Sequence, residues 1–482
     1  MKPKDNTEKL ELTYSQQLAF KNLLSFLEDR EANVFILKGY AGTGKTTLMK
    51  ELIREMTNRK LSFKLLASTG RAAKILSNAT GCETRTVHSQ IYTFADINQD
   101  LENVVKKREN NLVDDTGQLL LNFELNCIEP NEGEGPYLYI VDEASMVADA
   151  KDNQASQALF GSGRLLYDLF QYDQYGKFIF VGDACQLPPV NESLSPALDA
   201  SYLRQNYGMK VYESELTQIV RQSEDNDLVL SSQKLRHLYF NPQKWKWAKF
   251  PFKGYKNIHI LSSQTELISK YIEKVRELGF NKATLVCSTN RQANMATQII
   301  RPAFGHQSSL LEPGDLLLVT QNNLLTNLMN GDLVIVEKIG EQQYRAGLTF
   351  VPVAVKELFT QKTNSLLMIA EVLYGNLTNI TQDQQRELMI DFYIRMRKLG
   401  IKQKSDAFML EMAKDPYLNA LRAVFGYSLT CHKSQGGEWD YVFLDIPRKL
   451  PGLPKPYVYQ WVYTAMTRAR KDLYVVYDFW VM

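Results

Sequence analysis

No stretch of this sequence stays apolar for the ~18 residues that a membrane-spanning helix needs. A membrane-embedded channel or transporter is therefore not expected. Five cysteines are scattered at Cys82, Cys127, Cys185, Cys287 and Cys431, and no two form a C-x-x-C pair. That argues against a zinc ribbon and against a disulfide framework, and it fits a reducing cytoplasm. The five histidines do not pair at metal-ligand spacing. The start, MKPKDNTEKLELT, is polar and carries no signal-peptide pattern, so a cytoplasmic location is expected. Net charge is only +2, so any grip on nucleic acid must come from local grooves. There is no repeat of fixed period and no low-complexity tract.

The sequence does have size and apolar mass. Its 482 residues suffice for about three or four domains, and an apolar content of 44% suits large cores. One stretch stands out: VFILKGYAGTGKTT, Val34 to Thr47. Val34 to Leu37 read as a buried strand. G-x-x-x-x-G-K-T follows, with Gly39, Gly44, Lys45 and Thr46 in place. Beyond it, Leu48, Leu52, Ile53 and Met56 share a helical face. Strand, glycine loop and helix form the setting of a phosphate-binding loop. Backbone N–H groups around Gly42, Thr43 and Gly44 would curl about phosphate oxygens, aided by the helix N-terminus. Lys45 would reach the β- and γ-phosphates, the Thr46 hydroxyl would hold Mg²⁺, and Thr47 continues the loop. By itself the loop fits a kinase or a GTP switch equally well.

A helix over 11–30, marked by Leu18, Leu23, Leu24 and Leu27, precedes this strand. FKLLAS (63–68), YLYIVD (137–142) and FIFVGD (178–183) are further apolar runs, with a helical TGRAAKIL after the first. A second series begins near 211 and includes TLVCST (284–289), YVFLDI (441–446) and LYVVYD (473–478). Strands written as unbroken apolar runs are buried on both faces, which implies parallel sheets covered by helices. The expected fold is α/β with two such sheets. The first core spans 1–92 and 136–210, the second 211–311 and 423–482. Two segments interrupt them. Segment 93–135 holds two strand-like runs around Asp115-Thr116-Gly117, which is hairpin chemistry. Segment 312–422 opens with short strands and Gly-Asp and Asn-Gly turns, as in a small β-barrel, and ends in a charged helical part. The basic residues there (Arg395, Arg397, Lys398, Lys402, Lys404) are read as a solvated helix face before a DNA grip. WKWAKFPF (245–252) is read as core packing before base stacking.

YLYIVDEASMV places Asp142 and Glu143 at a strand end. ATP hydrolysis needs one carboxylate for the Mg²⁺ shell and a second group to orient or deprotonate water. Asp142 suits the first role and Glu143 the second. FIFVGDACQLPPV puts Asp183 and Gln186 beyond another strand, where a glutamine can sense the γ-phosphate.

GYAGTGKTT, VDEAS and GDACQLPPV, with TCHKSQGGEWDYVFLD at 430–445 and VYTAMTRARKDLYVV at 462–476, resemble the ordered motifs of superfamily 1 DNA helicases. The chain is most similar to the RecD/Dda-like branch, superfamily 1B, which moves 5′ to 3′ on single strands. The resemblance runs from Leu12 to Val476. It implies two RecA-like cores, a strand-separating pin in 93–135 and an SH3-like barrel in 312–422, whose helical extension has no counterpart. It implies an ATP- and Mg²⁺-dependent DNA helicase, acting as a monomer on single-stranded DNA at a duplex junction, in repair, recombination or replication. By the same resemblance Gln16 reads the adenine edge. Arg221 senses the γ-phosphate, Arg468 is the arginine finger and Glu438 contacts the ribose. Ser68, Thr69, Arg71, Thr86, His88, Thr430, His432 and Ser434 lie in the phosphate-gripping loops. Sequence-blind gripping suits such small hydroxyls and loop N–H groups. His88 and His432 read equally as structural histidines. Three other functions stay open: a translocase that displaces proteins without unwinding, an RNA-directed helicase, and a nucleotide-gated binding module.

Overall fold

In the computed structural model, residues 12–110, 117–128, 137–151, 158–220, 227–375 and 377–482 are described. The first sheet has six parallel strands in the order Thr84–Thr86, Phe63–Ala67, Leu138–Asp142, Lys177–Gly182, Val34–Gly39, Val211–Leu216. The central strands are the apolar runs of the sequence, and Val34 to Leu37 are fully buried. The second sheet, also parallel, runs Ile258–Leu261, Ala469–Val476, Trp439–Asp445, Ala283–Cys287, Leu429–Thr430. Two α/β cores are therefore present, as expected for the fold class. None of the described helices is long and apolar enough to cross a membrane.

The boundary expected near 211 is corrected. Val211–Leu216 pairs in parallel with Val34–Gly39 and completes the first sheet. Its sequence, VYESEL, buries Ser214 and Leu216 on one face and leaves Glu213 and Glu215 exposed, as an edge strand does. The boundary at 423 shifts too. Ala423–Phe425 pairs antiparallel with Leu316–Val319, inside the inserted sheet. That sheet is antiparallel, in the order Gln343–Arg345, Leu348–Glu357, Leu333–Ile339, Leu316–Val319, Ala423–Phe425. Thr363–Ile369 lies against Leu348–Glu357.

The expected hairpin is likewise revised. The stretch ahead of the expected turn begins in a helix, Leu101–Glu109, with Arg108 and Glu109 in its last turn. Leu101, Val104 and Val105 are buried at helical spacing, and the Asp100 side chain caps the first turn through the Glu102 and Asn103 N–H groups. The paired strands are Tyr92–Ile97 and Leu121–Leu125, joined by Ala158–Phe160. The turn residues Asp115 and Thr116 lie outside the described residues.

The helical extension packs on this first insertion. Met389, Phe392, Tyr393 and Met396 of helix Gln382–Lys398 share one core with Leu101, Val104 and Val105. Arg397 pairs with Glu109 at 2.7 Å and Arg108 with Glu387 at 2.6 Å. Arg395 pairs with Asp391 at 2.9 Å and with Asp415. These arginines tie the two insertions to one another or the extension to itself. WKWAKFPF divides: Ala248, Phe250 and Phe252 are fully buried, while Trp245 and Trp247 stay exposed.

Candidate functional site

All the strands that carry motifs end on the same side of their sheets. After Val34–Gly39 the chain turns through Gly42 and Gly44, both at positive φ (80° and 78°), into helix Lys45–Asn58. A side chain at Gly44 would be strained there and would clash with the Gln16 amide. Lys45 Nζ donates to the Gly39 carbonyl at 2.6 Å and to the Tyr40 carbonyl at 3.3 Å. Asp142 ends its strand beside Glu143, which holds a left-handed backbone (φ 50°, ψ 39°). A non-glycine residue in that region costs roughly 1–3 kcal/mol and marks a constrained site. Burial, and then the neighbouring Glu143 charge, push the Asp142 carboxyl well above the usual range.

A cavity of about 640 Å³ opens over this edge. Gly42, Gly44, Lys45, Thr46, Thr47, Asp142, Glu143 and Gln186 line it from the first core. Glu438 and Arg468 line it from the second. Arg468 is buried, and its guanidinium donates to the Thr464 carbonyl at 2.9 Å, the Gly437 carbonyl at 3.3 Å and Thr467 Oγ1 at 3.2 Å. Glu438 pairs with Arg470 at 3.0 Å. The residues present fit a magnesium nucleotide. Gln186 Oε1 is buried at the cavity without a partner, and Asp142 is a half-buried carboxylate on the cavity wall beside Glu143. Thr46 and Asp142 would hold the cation with the phosphates. Among the described residues no cluster of three or more His, Cys, Asp or Glu could hold a metal unaided.

Several expected residues sit elsewhere. Gln16 is 1% exposed and does not line the cavity. Its Oε1 accepts the Thr13 N–H at 2.9 Å and its Nε2 donates to the Thr43 carbonyl at 3.2 Å. It braces the loop from beneath. Arg221 lies outside the described residues, although the preceding Val220 donates its N–H to the Gly42 carbonyl at 2.8 Å. Arg71 is not on an exposed DNA-facing loop. It is 6% exposed, with its guanidinium 4.8 Å from the Trp439 ring centroid and 5.2 Å from that of Phe359. It therefore joins both cores to the inserted sheet, and it lines the nucleotide cavity. Burial, with Arg468 nearby, lowers its pKa to about 10, against a pull upward from Asp332.

The other gripping residues follow strand ends as expected, with their side chains in varied use. Thr69, Thr86 and Thr430 each cap the helix that follows, accepting from Ala72, Ser89 and Lys433 N–H groups at 3.2, 3.1 and 3.4 Å. Ser68 Oγ is buried without a partner. Ser434 is fully buried and donates to the Cys431 carbonyl at 2.8 Å, a structural bond in place of the expected DNA contact. His88 is exposed, its ring edge-on to Phe160 at 5.4 Å. His432 is half-buried, and burial followed by Lys433 lowers its pKa.

Reasoning from sequence missed one face of helix Lys455–Met466. Gln460, Tyr463 and Thr464 stand at i, i+3 and i+4 on it. Tyr463 Oη donates to Asp183 at 2.8 Å and accepts the Ala41 N–H at 3.2 Å. Thr464 Oγ1 accepts the Leu187 N–H at 2.9 Å, and Gln460 Nε2 donates to the Gln186 carbonyl at 3.1 Å. The available signal was three polar residues in helical register within an otherwise apolar run. Missed too was Lys74, which pairs with Asp332 at 3.0 Å and Glu357 at 2.7 Å and so clamps the inserted sheet to the first core.

A family model described as an AAA domain matches residues 11–238, and one described as a UvrD-like helicase C-terminal domain matches 425–476. The ATP-dependent RecD2 DNA helicase of Deinococcus radiodurans is 26% identical over 438 residues, covering 90% of this chain and 46% of that protein. The RecBCD enzyme subunit RecD of Buchnera aphidicola is 22% identical over 484 residues, covering 92% of this chain and 70% of that one. The ATP-dependent DNA helicase dda of phage T4 is 39% identical over 80 residues, 16% of this chain and 18% of that one. The chain thus spans under half the length of the RecD2 protein it matches. A crystal structure of Pif1 helicase from Bacteroides, in complex with ADP-AlF3 and ssDNA, is 17% identical with a TM-score of 0.49. It covers 98% of this chain and 93% of that one.

Proposed function

We propose, from the motifs and from the likeness to an AAA domain, a UvrD-like helicase C-terminal domain and RecD-type helicases, that the chain is a superfamily 1B helicase of the RecD/Dda-like branch and works as an ATP-driven motor. It would move 5′ to 3′ on single-stranded DNA and unwind the duplex ahead. One observation carries this reading: the phosphate loop and acidic pair of one core share a single cavity with a buried arginine of the other. A pure nucleotide switch needs neither a water-activating Glu143 nor an arginine supplied from a second sheet.

Magnesium bound with ATP supplies neutralisation of the phosphoryl charge. The chain's own groups do the rest. Lys45 exchanges its carbonyl partners for phosphate oxygens, since an ammonium gains more from a full charge than from a neutral acceptor. Glu143 takes the proton of the attacking water, and Gln186 orients that water or senses the terminal phosphate. Arg468 offsets charge on the transferring group, where a planar guanidinium serves better than an ammonium. Because Arg468 also bonds the Gly437 carbonyl, its shift on hydrolysis reaches the loop from Thr430. The cores then open and close, and the loops after Ala67, Thr86 and Leu429 alternate their hold on one strand. Monomeric action in the cytoplasm belongs to the same reading.

The test is ATPase and unwinding on matched duplexes with 5′ or 3′ single-stranded tails. Unwinding of the 5′-tailed duplex alone is expected. A duplex that stays paired while ATP is consumed would leave a translocase. Unwinding only of 3′-tailed DNA would overturn the polarity, and stimulation by RNA in preference to DNA would overturn the substrate.

A further inference from the structure

A second cavity, of about 840 Å³, lies wholly on the second core. It opens at the carboxyl ends of four of the five strands there, where ligands of parallel sheets bind. Ser262 follows Ile258–Leu261, Ser288 follows Ala283–Cys287, Asp445 ends Trp439–Asp445 and Val476 ends Ala469–Val476, and all four residues line it. The strand Ala283–Cys287 is the hydrogen-bonded neighbour of Leu429–Thr430. With neighbouring strands ~4.8 Å apart, the cavity begins one strand beyond the Thr430 loop. It continues the row of strand ends along which the single strand is proposed to lie.

Its lining has two parts. Its accessible aromatic rings are Tyr457 and Tyr477, with Trp461, 1% exposed, and Trp480 packed behind the wall. Trp480 is 2% exposed, and its indole N–H has no acceptor among the described residues. A buried donor without a partner at a cavity wall is a costly arrangement that a ligand acceptor would relieve. The rim is basic, with Arg291, Arg448 and Lys449. Arg448 is offset by Asp478 at 2.8 Å, but Arg291 and Lys449 are exposed and have no carboxylate partner among the described residues. Helices Gln264–Leu278 and Asn290–Ala303 also begin at this rim. Both are capped, by Ser263 and Thr289, but the first carries the Glu266 carboxylate, which accepts from Ser262, where the second carries the neutral Gln292, so uncompensated positive charge lies at the Arg291 side.

We infer that this cavity takes one nucleotide of the single strand, unstacked past the Thr430 loop. Its base enters against Tyr457 and Tyr477, the lining rings that keep accessible surface, and its phosphate rests on Arg291 and Lys449. A flat π-face against tyrosine rings tolerates any base, and an exposed basic rim suits a phosphate without sequence preference. Asp445, buried and held by Gln264 at 2.8 Å, offers the base edge a further polar partner. The second core would thereby keep its grip on the strand through two points, Thr430 and this cavity, while the first core steps.

This inference rests on the single-strand reading above, and the experiment separates the two. Oligonucleotides carrying one 5-iodo-deoxyuridine at successive positions are bound to the full chain, irradiated and mapped by mass spectrometry. One position is expected to crosslink to Tyr457 or Tyr477. A double variant, Arg291→Glu with Lys449→Glu, both at exposed sites, is expected to weaken binding of strands that reach the cavity by about tenfold or more. It should barely change binding of strands too short to reach it. Crosslinking confined to the Thr69, Thr86 and Thr430 loops, with the double variant binding as wild type, overturns the cavity while leaving the motor reading intact. Absence of any single-strand binding by the wild-type chain overturns both. Saturable quenching of tryptophan by dTMP alone, with no strand crosslink in the cavity, overturns the assignment to a strand.

Discussion

Tyr463 Oη lies 2.8 Å from an Asp183 carboxylate oxygen, across 280 positions of sequence. The same hydroxyl accepts the Ala41 N–H of the phosphate loop. One side chain of the second core therefore ties together the phosphate loop and a strand end of the first. Both groups are buried, and burial is the main cause raising each of their pKa values. Tyr463→Phe keeps the ring and removes the bridge, stranding a buried carboxylate at a cost of about 1–3 kcal/mol. The expected result is DNA-stimulated ATPase lowered about tenfold, a lower melting temperature and little change in single-strand affinity. Steady-state ATPase beside thermal melting checks this, and unchanged turnover would refute the coupling role.

Glu143→Gln should keep nucleotide binding and lose turnover by about 10²–10⁴-fold, the usual share of a general base. Filter binding of labelled ATP, run beside single-turnover hydrolysis on single-stranded DNA, separates the two. Normal hydrolysis in this variant would remove Glu143 from the chemistry.

Arg468→Lys should cost about 10³-fold or more in turnover. The guanidinium makes three hydrogen bonds, to the Thr464 and Gly437 carbonyls and to Thr467 Oγ1. A lysine cannot make these and also face a phosphate. ATP affinity is expected to change far less. Loss of affinity without loss of turnover would mean that Arg468 only binds.

Asp142 gives a pH dependence of stability. Its carboxyl is raised from 3.8 to about 7, first by burial and then by Glu143. The folded state thus holds a proton that the unfolded state has released. Stability from this group is present below the unfolded value and is lost as pH rises toward the folded one. Without nucleotide, the melting temperature should fall between about pH 4 and pH 7 more steeply in the wild type than in Asp142→Asn. Magnesium ATP should reduce the difference, because a bound cation favours the charged carboxylate. Parallel wild-type and variant melting curves across that window would contradict it.

Much of the fold was legible in the residues alone. Strands buried on both faces are unbroken apolar runs, and Val34–Gly39, Leu138–Asp142 and Trp439–Asp445 stand where those runs stand. Edge elements were less legible. Val211–Leu216 carries three polar residues, and Ala423–Phe425 is three residues long. Nothing local states which sheet such a strand joins. The residues ahead of the turn at 115–117 read as strand, yet the chain there begins in a helix whose Leu101, Val104 and Val105 find a helical partner nearly 300 positions away.

The site divides the same way. Sequence by itself determined the phosphate loop, the acidic pair and the order of the motifs. Those chemistries need fixed residue types at short spacing, and short spacing survives in one dimension. Tertiary structure alone decided that Arg71 is buried between Trp439 and Phe359, that Ser434 bonds within its own turn while Gln16 braces the phosphate loop, and that Tyr463 spans the cores. Burial and partner choice come from surfaces hundreds of residues apart packing together. No local pattern encodes which polar atom is left facing the cavity and which is used up in holding it.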